Sequence, residues 1–328
     1  MPDTIRIDFD LLKDAFHKRD ALFSDTETNA YRLFNGFYEG CPAFSVDRYG
    51  DTAVILWQSK HAQPDQELLA GLRETCLNEL PGIGCVLFKN RYAADESAKK
   101  GKAVSGEHPA RSVREWGVTY SIDLQVNKDC GFYLDSSLLR KWLLENARGK
   151  RVLNTFAYTG SLGDAASAGG ALSVTQTDIN HNYLAARHSD QEYIFGDFFH
   201  VSAMLRRADR LFDLVILDPP FFARAGRSAV VDQARNAAAL INKIRPLAAH
   251  DGKIIVLNNA LFLSGKDFLS RIETLCDPYL SISQIIPVPG SFFGFSPIRG
   301  EDLPADPAPF NHPTKIIVLD VRRKDGKC

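Results

Sequence analysis

No stretch of about 18 apolar residues escapes interruption by charge, so no membrane-spanning helix is expected in this chain of 328 residues. The opening Met-Pro-Asp-Thr-Ile-Arg-Ile-Asp lacks the basic start and apolar stretch of a secretory leader, and Asp3, Asp8, Asp10 and Asp14 argue against a mitochondrial presequence. Cysteine is sparse and scattered. Cys41, Cys76, Cys85, Cys130, Cys276 and Cys328 form no CxxC pair, which indicates neither a zinc site nor a disulfide framework. A reduced, cytoplasmic protein without a metal is the expectation. An excess of one charge is missing too: the net charge is −1 and the isoelectric point about 6.7. Most dedicated nucleic-acid-binding domains are more basic, so contact with RNA or DNA would have to rest on a local patch. Internal repeats and low-complexity tracts are also lacking.

What is present suits a sizeable core. Hydrophobic residues make up 45% and charged residues 24% of the chain, ordinary values for a globular protein. The length suggests two domains, or one large domain with an appendage. Residues 1–28 are charged and read as a helix (roughly Leu11 to Ala21) with a linker. Residues 29–126 carry short apolar runs with turn punctuation and read as a small α+β module. Ala43–Val46 and Thr52–Trp57 flank the turn Asp47-Arg-Tyr-Gly-Asp51 as a hairpin. Leu68, Leu69, Leu72, Cys76 and Leu80 give 66–79 helical spacing. Cys85–Phe88 and Val118–Leu124 read as further strands.

From 127 to 328 strand-like runs alternate with helical stretches. The runs are Arg151–Phe156, Ser173–Asp178, Tyr193–Phe195, Phe212–Leu217, Lys253–Leu257, Ile282–Val288 and Lys315–Asp320. Such alternation implies an α/β fold with a mainly parallel sheet covered on both faces. Pro287 to Pro313 holds seven prolines and reads as an irregular loop.

Ligands of open α/β sheets bind at the carboxyl ends of the strands, so the residues just past each strand matter most. Past the first strand runs Asn154-Thr-Phe-Ala-Tyr-Thr-Gly160-Ser-Leu-Gly163. Its glycines either admit a ligand to a helix N-terminus or serve packing alone. The spacing departs from GxGxxG and disfavours NAD or FAD. Asp178 ends the second strand and suits either a ribose diol or a helix cap. Gly196-Asp197-Phe198-Phe199 sets an acid beside two aromatic rings, an arrangement suited to adenine. Asp218-Pro219-Pro220-Phe221-Phe222 is the sharpest signal. Two prolines directly after a buried strand end the ladder and stiffen a loop. That leaves the Asp218 carboxylate and the loop carbonyls for a planar amine-bearing ring, with Phe221 or Phe222 to stack on it.

Together these segments resemble class I S-adenosylmethionine-dependent methyltransferases. More narrowly, they resemble the 23S ribosomal RNA methyltransferase family that includes cytosine-C5 and guanine-N7 enzymes. Gly131-Phe-Tyr-Leu-Asp135 with Arg140 is similar to the segment preceding that family's cofactor domain. Asn29-Ala-Tyr-Arg-Leu33 with Asp47–Asp51 is similar to its small central domain. The resemblance implies a Rossmann-like sheet, mostly parallel with its last strand antiparallel, beside a small N-terminal α+β domain. It implies S-adenosyl-L-methionine as cofactor, held by Phe132, Leu134, Asp135, Asn154, Tyr158, Gly160, Asp178, Asp197 and Asp218, with Phe156, Ile179 and Phe198 beside them. It implies that Asp218, Pro219, Pro220 and Phe221 face the target base.

The chain departs from that family in several places. Only about 28 residues precede the central module, too few for the PUA-type RNA-binding domain with which the family usually opens. Ser137 stands where the family has an arginine. Methylation of a pyrimidine C5 needs a cysteine thiolate to add at C6, and that cysteine would come just after the fifth strand. The sequence there is Leu257-Asn258-Asn259-Ala260. The asparagine pair is similar to the guanine-N7 branch, in which a ring nitrogen accepts the methyl directly. Asn258 or Asn259 would then contact a base edge, or else cap the strand end.

Seven basic residues between Lys89 and Arg114, against three acids, are a candidate phosphate-binding stretch or a solvated face. Phe292, Phe293 and Phe295 are candidates for stacking on a flipped base or for packing. The expectation is an RNA methyltransferase, acting on ribosomal or other structured RNA at a base nitrogen. A methyltransferase for a small molecule or protein, or a non-catalytic RNA-binding factor on the same fold, would also suit the sequence.

Overall fold

The computed structural model describes residues 7–60, 63–183, 188–220, 222–225, 229–294 and 313–328, the side chains of 222–225 and 229–236 excepted. These residues form two compact units. One runs to Leu134 and includes 289–294; the other runs from Asp135 to Val288 and includes 313–328.

The first unit opens with two helices, α1 (Phe9–His17) and α2 (Asp20–Phe23), in place of the single helix that the sequence suggests. The chain breaks at Arg19, whose buried guanidinium donates to the Ala15 carbonyl (2.8 Å) and forms a two-pronged pair with Glu39 (3.0 and 2.8 Å). Strands β1 (Ala30–Asn35), β2 (Phe44–Tyr49) and β3 (Thr52–Trp57), helix α3 (Gln66–Glu79), strand β4 (Cys85–Asn90), helix α4 (Glu96–Lys100) and strand β5 (Lys102–Ser105) come next. The sheet order is β1-β2-β3-β4-β5, with only β3 and β4 parallel because α3 carries the chain between them. A hairpin of β6 (Ser112–Glu115) and β7 (Val118–Ser121) and a single helical turn, Gly290–Phe293, within the stretch read from the sequence as an irregular loop, complete the unit. Strand β1 carries no period-two signature because five of its six residues are buried, which erases alternation.

The compact unit extends past the expected boundary at Val126. Lys89, 1% exposed, donates its ammonium to the carbonyls of Leu124, Asn127 and Asp129 at 2.5, 2.9 and 2.8 Å. Tyr49 donates to the Phe132 carbonyl (3.0 Å), and the rings of Tyr120 and Phe132 pack 5.3 Å apart. These bonds tie 127–134 to the first unit.

The second unit holds α5 (Ser137–Asn146), β8 (Arg151–Thr155), α6 (Ser161–Ala168), β9 (Ser173–Asp178), β10 (Gln191–Phe195), α7 (Phe198–Arg207) and β11 (Phe212–Leu217). A small hairpin, β12 (Phe222–Ala225) with β13 (Ala229–Asp232), is an addition to the expected elements; α8 (Gln233–Ile244), β14 (Ala248–Asn258), α9 (Gly265–Glu273), β15 (Leu280–Ile286) and β16 (Lys315–Val321) complete the unit. The sheet order is β10-β9-β8-β11-β14-β16-β15. Five neighbouring strands run parallel, and β16 enters antiparallel between β14 and β15. This is the expected Rossmann-like sheet. Leu153, Val215, Leu217, Ile254, Val256, Ile317 and Leu319 from its strands pack with Leu240, Ile241, Phe268 and Ile272 from helices as one core.

Lys89→Met removes a donor shared by three inward carbonyls and is expected to lower unfolding free energy by about 2–4 kcal/mol. Urea denaturation of the two proteins measures the difference, and coincident curves would exclude this role for the lysine.

Candidate active site

Strand order reverses at β8: β9 lies on one side and β11 on the other. Loops leaving the two strands therefore diverge, and their carboxyl ends form a natural binding rim. After β8, Phe156 (φ 55°), Tyr158 (φ 53°) and Gly160 (φ 94°) all take left-handed backbone. That conformation costs of order 1 kcal/mol or more for each of the two aromatic residues and collects at functional sites. Local bonds hold it: Ala157 donates to the Thr177 carbonyl (2.9 Å) and Tyr158 donates its N–H to Asp178 Oδ2 (2.9 Å). Asp178 Oδ1 accepts the Asn180 N–H at 2.8 Å. Both carboxylate oxygens thus face backbone donors at the end of β9, and Ile179 beside them is 66% exposed.

Beneath this loop the interior is polar. Asn154 donates to Gln176 Oε1 (3.0 Å), Gln176 to Gln191 Oε1 (2.6 Å), and Gln191 to Asp164 Oδ1 (3.1 Å). The Asn154 Oδ1 atom is buried without a hydrogen-bond partner among the described residues, an unusual state for a buried acceptor. Burial pushes the Asp164 carboxyl up to about 6, opposed by the Gln191 hydrogen bond and by His188, 3.6 Å away. Gly163 makes room for this chain of bonds, since a Cβ on it would fall 2.4 Å from the end of the Gln176 side chain and displace it.

Asp197 caps α7: its Oδ1 accepts the N–H groups of Phe199 (2.9 Å) and His200 (3.2 Å). Phe198 turns into the core and stacks on Phe156 at 4.8 Å, whereas Phe199 is the exposed ring of the pair.

Asp218 leaves β11 at the same rim, with Pro219 buried and Pro220 exposed. Desolvation pushes its carboxyl up to about 7, and the neighbouring Asp135 carboxylate adds to the rise. Asp135 in turn accepts the Thr314 hydroxyl at 2.6 Å. Beside β11, β14 delivers Asn258. This residue is 1% exposed, and its Oδ1 accepts the Ala260 N–H at 3.1 Å, so the amide oxygen serves the loop instead of a ligand. Asn259 is partly exposed. Opposite Asn258 in register stands Lys315, whose burial lowers its pKa to about 7. Its ammonium donates to the carbonyls of Ala260 (2.6 Å) and Leu263 (2.9 Å).

Second-unit geometry thus places Asn154, Phe156, Tyr158, Gly160, Asp178, Ile179, Asp197, Asp218 and Asn258 on strand ends or the segments next to them, and Asp135, in the turn before α5, beside Asp218 and Thr314. Phe132 and Leu134 are buried in the first unit. Phe221 and Phe295 lie outside the described residues. Thr314 and Lys315 join the site unannounced by the sequence, because a threonine and a lysine before an apolar strand carry no local motif.

The basic stretch is largely neutralised. Lys89 is internal, Arg91 pairs with Asp129 (3.1 Å), Lys99 with Glu96 (2.5 Å), Lys102 with Asp95 (3.7 Å) and Arg111 with Asp123 (3.6 Å). Arg114 donates to the Thr26 carbonyl. Phe292 lies 4.0 Å from the Arg32 guanidinium, and Phe293 is buried. Among the described residues no helix is long and apolar enough to cross a membrane, and no three His, Cys, Asp or Glu side chains converge as metal ligands.

A family model described as S-adenosylmethionine-dependent methyltransferase matches residues 81–301. YwbD of Bacillus subtilis (strain 168), provisionally named a ribosomal RNA large subunit methyltransferase, is 29% identical over 280 residues, 80% of this chain and 69% of its own. Ribosomal RNA large subunit methyltransferase I of Photobacterium profundum is 31% identical over 251 residues, 71% of this chain and 62% of its own. The chain therefore spans roughly two thirds of these relatives' length. Among solved structures, SMU.776, provisionally named a methyltransferase and complexed with SAH, superposes with a TM-score of 0.80 at 21% identity. The match covers 98% of this chain and 83% of that one, and the shared feature is the fold.

The raised Asp218 carboxyl has a consequence for stability. An unfolded aspartate titrates near 4, whereas the folded one holds its proton to about 7. Between those values the folded state binds the extra proton, so Asp218's contribution is full below about pH 4 and is lost as pH rises through about 7. Relative to wild type, Asp218→Asn is expected to gain stability progressively from about pH 4 to about pH 7 and then level off. Unfolding midpoints of both proteins across that range test this; a constant difference would sink the shifted carboxyl.

Proposed function

Because this chain belongs to the S-adenosylmethionine-dependent methyltransferases, we propose that it moves the cofactor's methyl group directly onto a base nitrogen of structured RNA, ribosomal RNA foremost. The names of the two relatives support the substrate class. The observation that carries the reading is the reversal of strand order at β8, which sets Asn154, Asp178 and Asp218 on neighbouring strands at one carboxyl-end rim.

The chemistry of the rim suits the cofactor. Asn154 Oδ1 is a buried acceptor awaiting a donor, as a ligand ammonium would supply. Asp178, fixed by two backbone N–H groups, keeps lone pairs for a ribose diol. Asp197 spends Oδ1 on its helix cap, and its second oxygen would serve an adenine amine. Phe156, Ile179 and the Gly160 turn would line the same pocket, and the family resemblance assigns Phe132 and Leu134 to the cofactor as well. When bound, S-adenosylmethionine supplies an electrophilic methyl on a sulfonium.

The protein's part is then orientation and exclusion of water. Asp218 accepts a hydrogen bond from the base and so turns the nitrogen lone pair toward the methyl. Pro219 and Pro220 keep that carboxyl from swinging away, and Phe221 would cover the base. Asn259 takes the base-edge role suggested for Asn258. Covalent catalysis through a thiolate finds no support: no cysteine stands just after β11 or β14, and burial pushes the Cys130 thiol up to about 12.

Radiolabelled cofactor incubated with total RNA is expected to label RNA from cells lacking this protein and not RNA from their parent. Label in neither, with cofactor binding intact by calorimetry, would favour a small-molecule or protein acceptor; no cofactor binding would favour a non-catalytic factor. In the same assay Asp218→Ala is expected to abolish transfer with the fold retained by circular dichroism, and full activity would remove this loop from the chemistry. Asp178→Ala is expected to weaken cofactor binding about tenfold or more, the value of a hydrogen bond to a charged group; an unchanged calorimetric Kd would remove Asp178 from the pocket.

A further inference from the structure

The assigned cofactor contacts end at Asn154, but the hydrogen bonds behind it continue, and they all run one way. Asn154 donates its Nδ2 to Gln176, Gln176 its Nε2 to Gln191, and Gln191 its Nε2 to Asp164 Oδ1. A primary amide donates at one end and accepts at the other, and its two orientations have nearly the same shape. A row of three amides is therefore fixed only by a terminus that accepts and cannot donate. An ionised carboxylate is such a terminus. Asp164 supplies it from the first turn of α6, where the helix dipole favours negative charge. Tyr193 supports the same direction by donating its hydroxyl to Gln191 Oε1 (3.2 Å).

Direction at one end dictates orientation at the other. With Gln191 turned to Asp164, Gln176 presents its oxygen to Asn154, and Asn154 turns its own Oδ1 away. That oxygen is the buried acceptor with no hydrogen-bond partner among the described residues. With an amide in place of the carboxylate the row could run backwards, and Asn154 would show N–H groups to a cation instead of a lone pair. Each forward bond also polarises the next, so charge on Asp164 makes the Asn154 oxygen a stronger acceptor.

Resting on the assignment of Asn154 to the ligand ammonium above, we propose that Asp164 is the positioning residue for the cofactor's amino group, acting through Gln191 and Gln176 without touching the ligand. The charged groups facing Asp164 are His188, 3.6 Å away, which favours its ionised form, and Asp190, which opposes it. Asp190 in turn accepts the Ser167 hydroxyl (2.7 Å), and Tyr193 is the other titratable neighbour. Because burial lifts Asp164 to about 6, the terminus gains a proton, and with it a donor, as pH falls through that value.

Calorimetry with two probes tests this. S-adenosylhomocysteine carries the amino acid, whereas methylthioadenosine shares the nucleoside and sulfur but has no amino group. Asp164→Asn is expected to weaken S-adenosylhomocysteine about tenfold or more, the value of a hydrogen bond to a charged group, at unchanged Kd for methylthioadenosine. In wild type, affinity for S-adenosylhomocysteine alone is expected to drop as pH falls through about 6, and Asp164→Asn is expected to lose that dependence. Should Asp164→Asn fail to bind methylthioadenosine, the wild-type pH profile decides. Asn154→Leu distinguishes the two roles. If it abolishes the preference for S-adenosylhomocysteine while Asp164→Asn and acid pH preserve it, Asp164 has no positioning role and the assignment of Asn154 stands. If Asn154→Leu keeps the preference, that assignment falls and the role of Asp164 with it.

Discussion

The reversal of strand order at β8 is the constraint on which the second unit depends. A parallel sheet needs crossover helices, and winding outward from one central strand in both directions leaves the loops after β8 and β11 with no neighbour between them. Asp178, Asp218 and the strained turn at Phe156 and Tyr158 all stand on strands beside that reversal. The core is built to keep those strands straight: aliphatic residues from β8, β11, β14 and β16 interlock with helices on the sheet's faces. Without that packing the left-handed backbone of two aromatic residues would relax, because nothing intrinsic to phenylalanine or tyrosine favours it.

Polar groups buried near the rim obey one logic. Asn154, Gln176, Gln191 and Asp164 pass hydrogen bonds beneath the turn, and Lys315 and Thr314 do the same on the other side. Buried networks of this kind are weak sources of stability but good at fixing geometry. Their cost is offset by the aliphatic core a strand or two away. The membership of the chain in a cofactor-dependent family gives the geometry its purpose: methyl transfer rewards positioning, because the cofactor itself carries the reactive carbon.

The first unit spends its charges internally. Arg19 with Glu39, Arg32 with Asp47 and Lys89 with three carbonyls are all inward or half-buried. The basic stretch between Lys89 and Arg114 is mostly paired with carboxylates of its own neighbourhood, so a run of charge in the sequence is a poor guide to a phosphate partner here. Arg32 also carries the Phe292 ring against its guanidinium, which makes packing the account of that aromatic.

Local pattern determined much of this protein. Apolar runs ending in Asp178 and Asp218, the proline pair and the helical spacing of 66–79 were legible because strand burial, ring constraint and helix periodicity act over a few residues. The two carboxylates were legible as candidates for the same reason. Tertiary structure alone decided which neighbours each would have. It turned Asn258 and Phe198 inward, drew 127–134 into the first unit through Lys89, and set Thr314 on Asp135 across 179 residues of sequence. Desolvation and hydrogen bonding depend on the atoms that arrive from elsewhere in the chain. No spacing rule encodes those arrivals, and it is they that lift Asp218 to about 7 and bury the ammonium of Lys315.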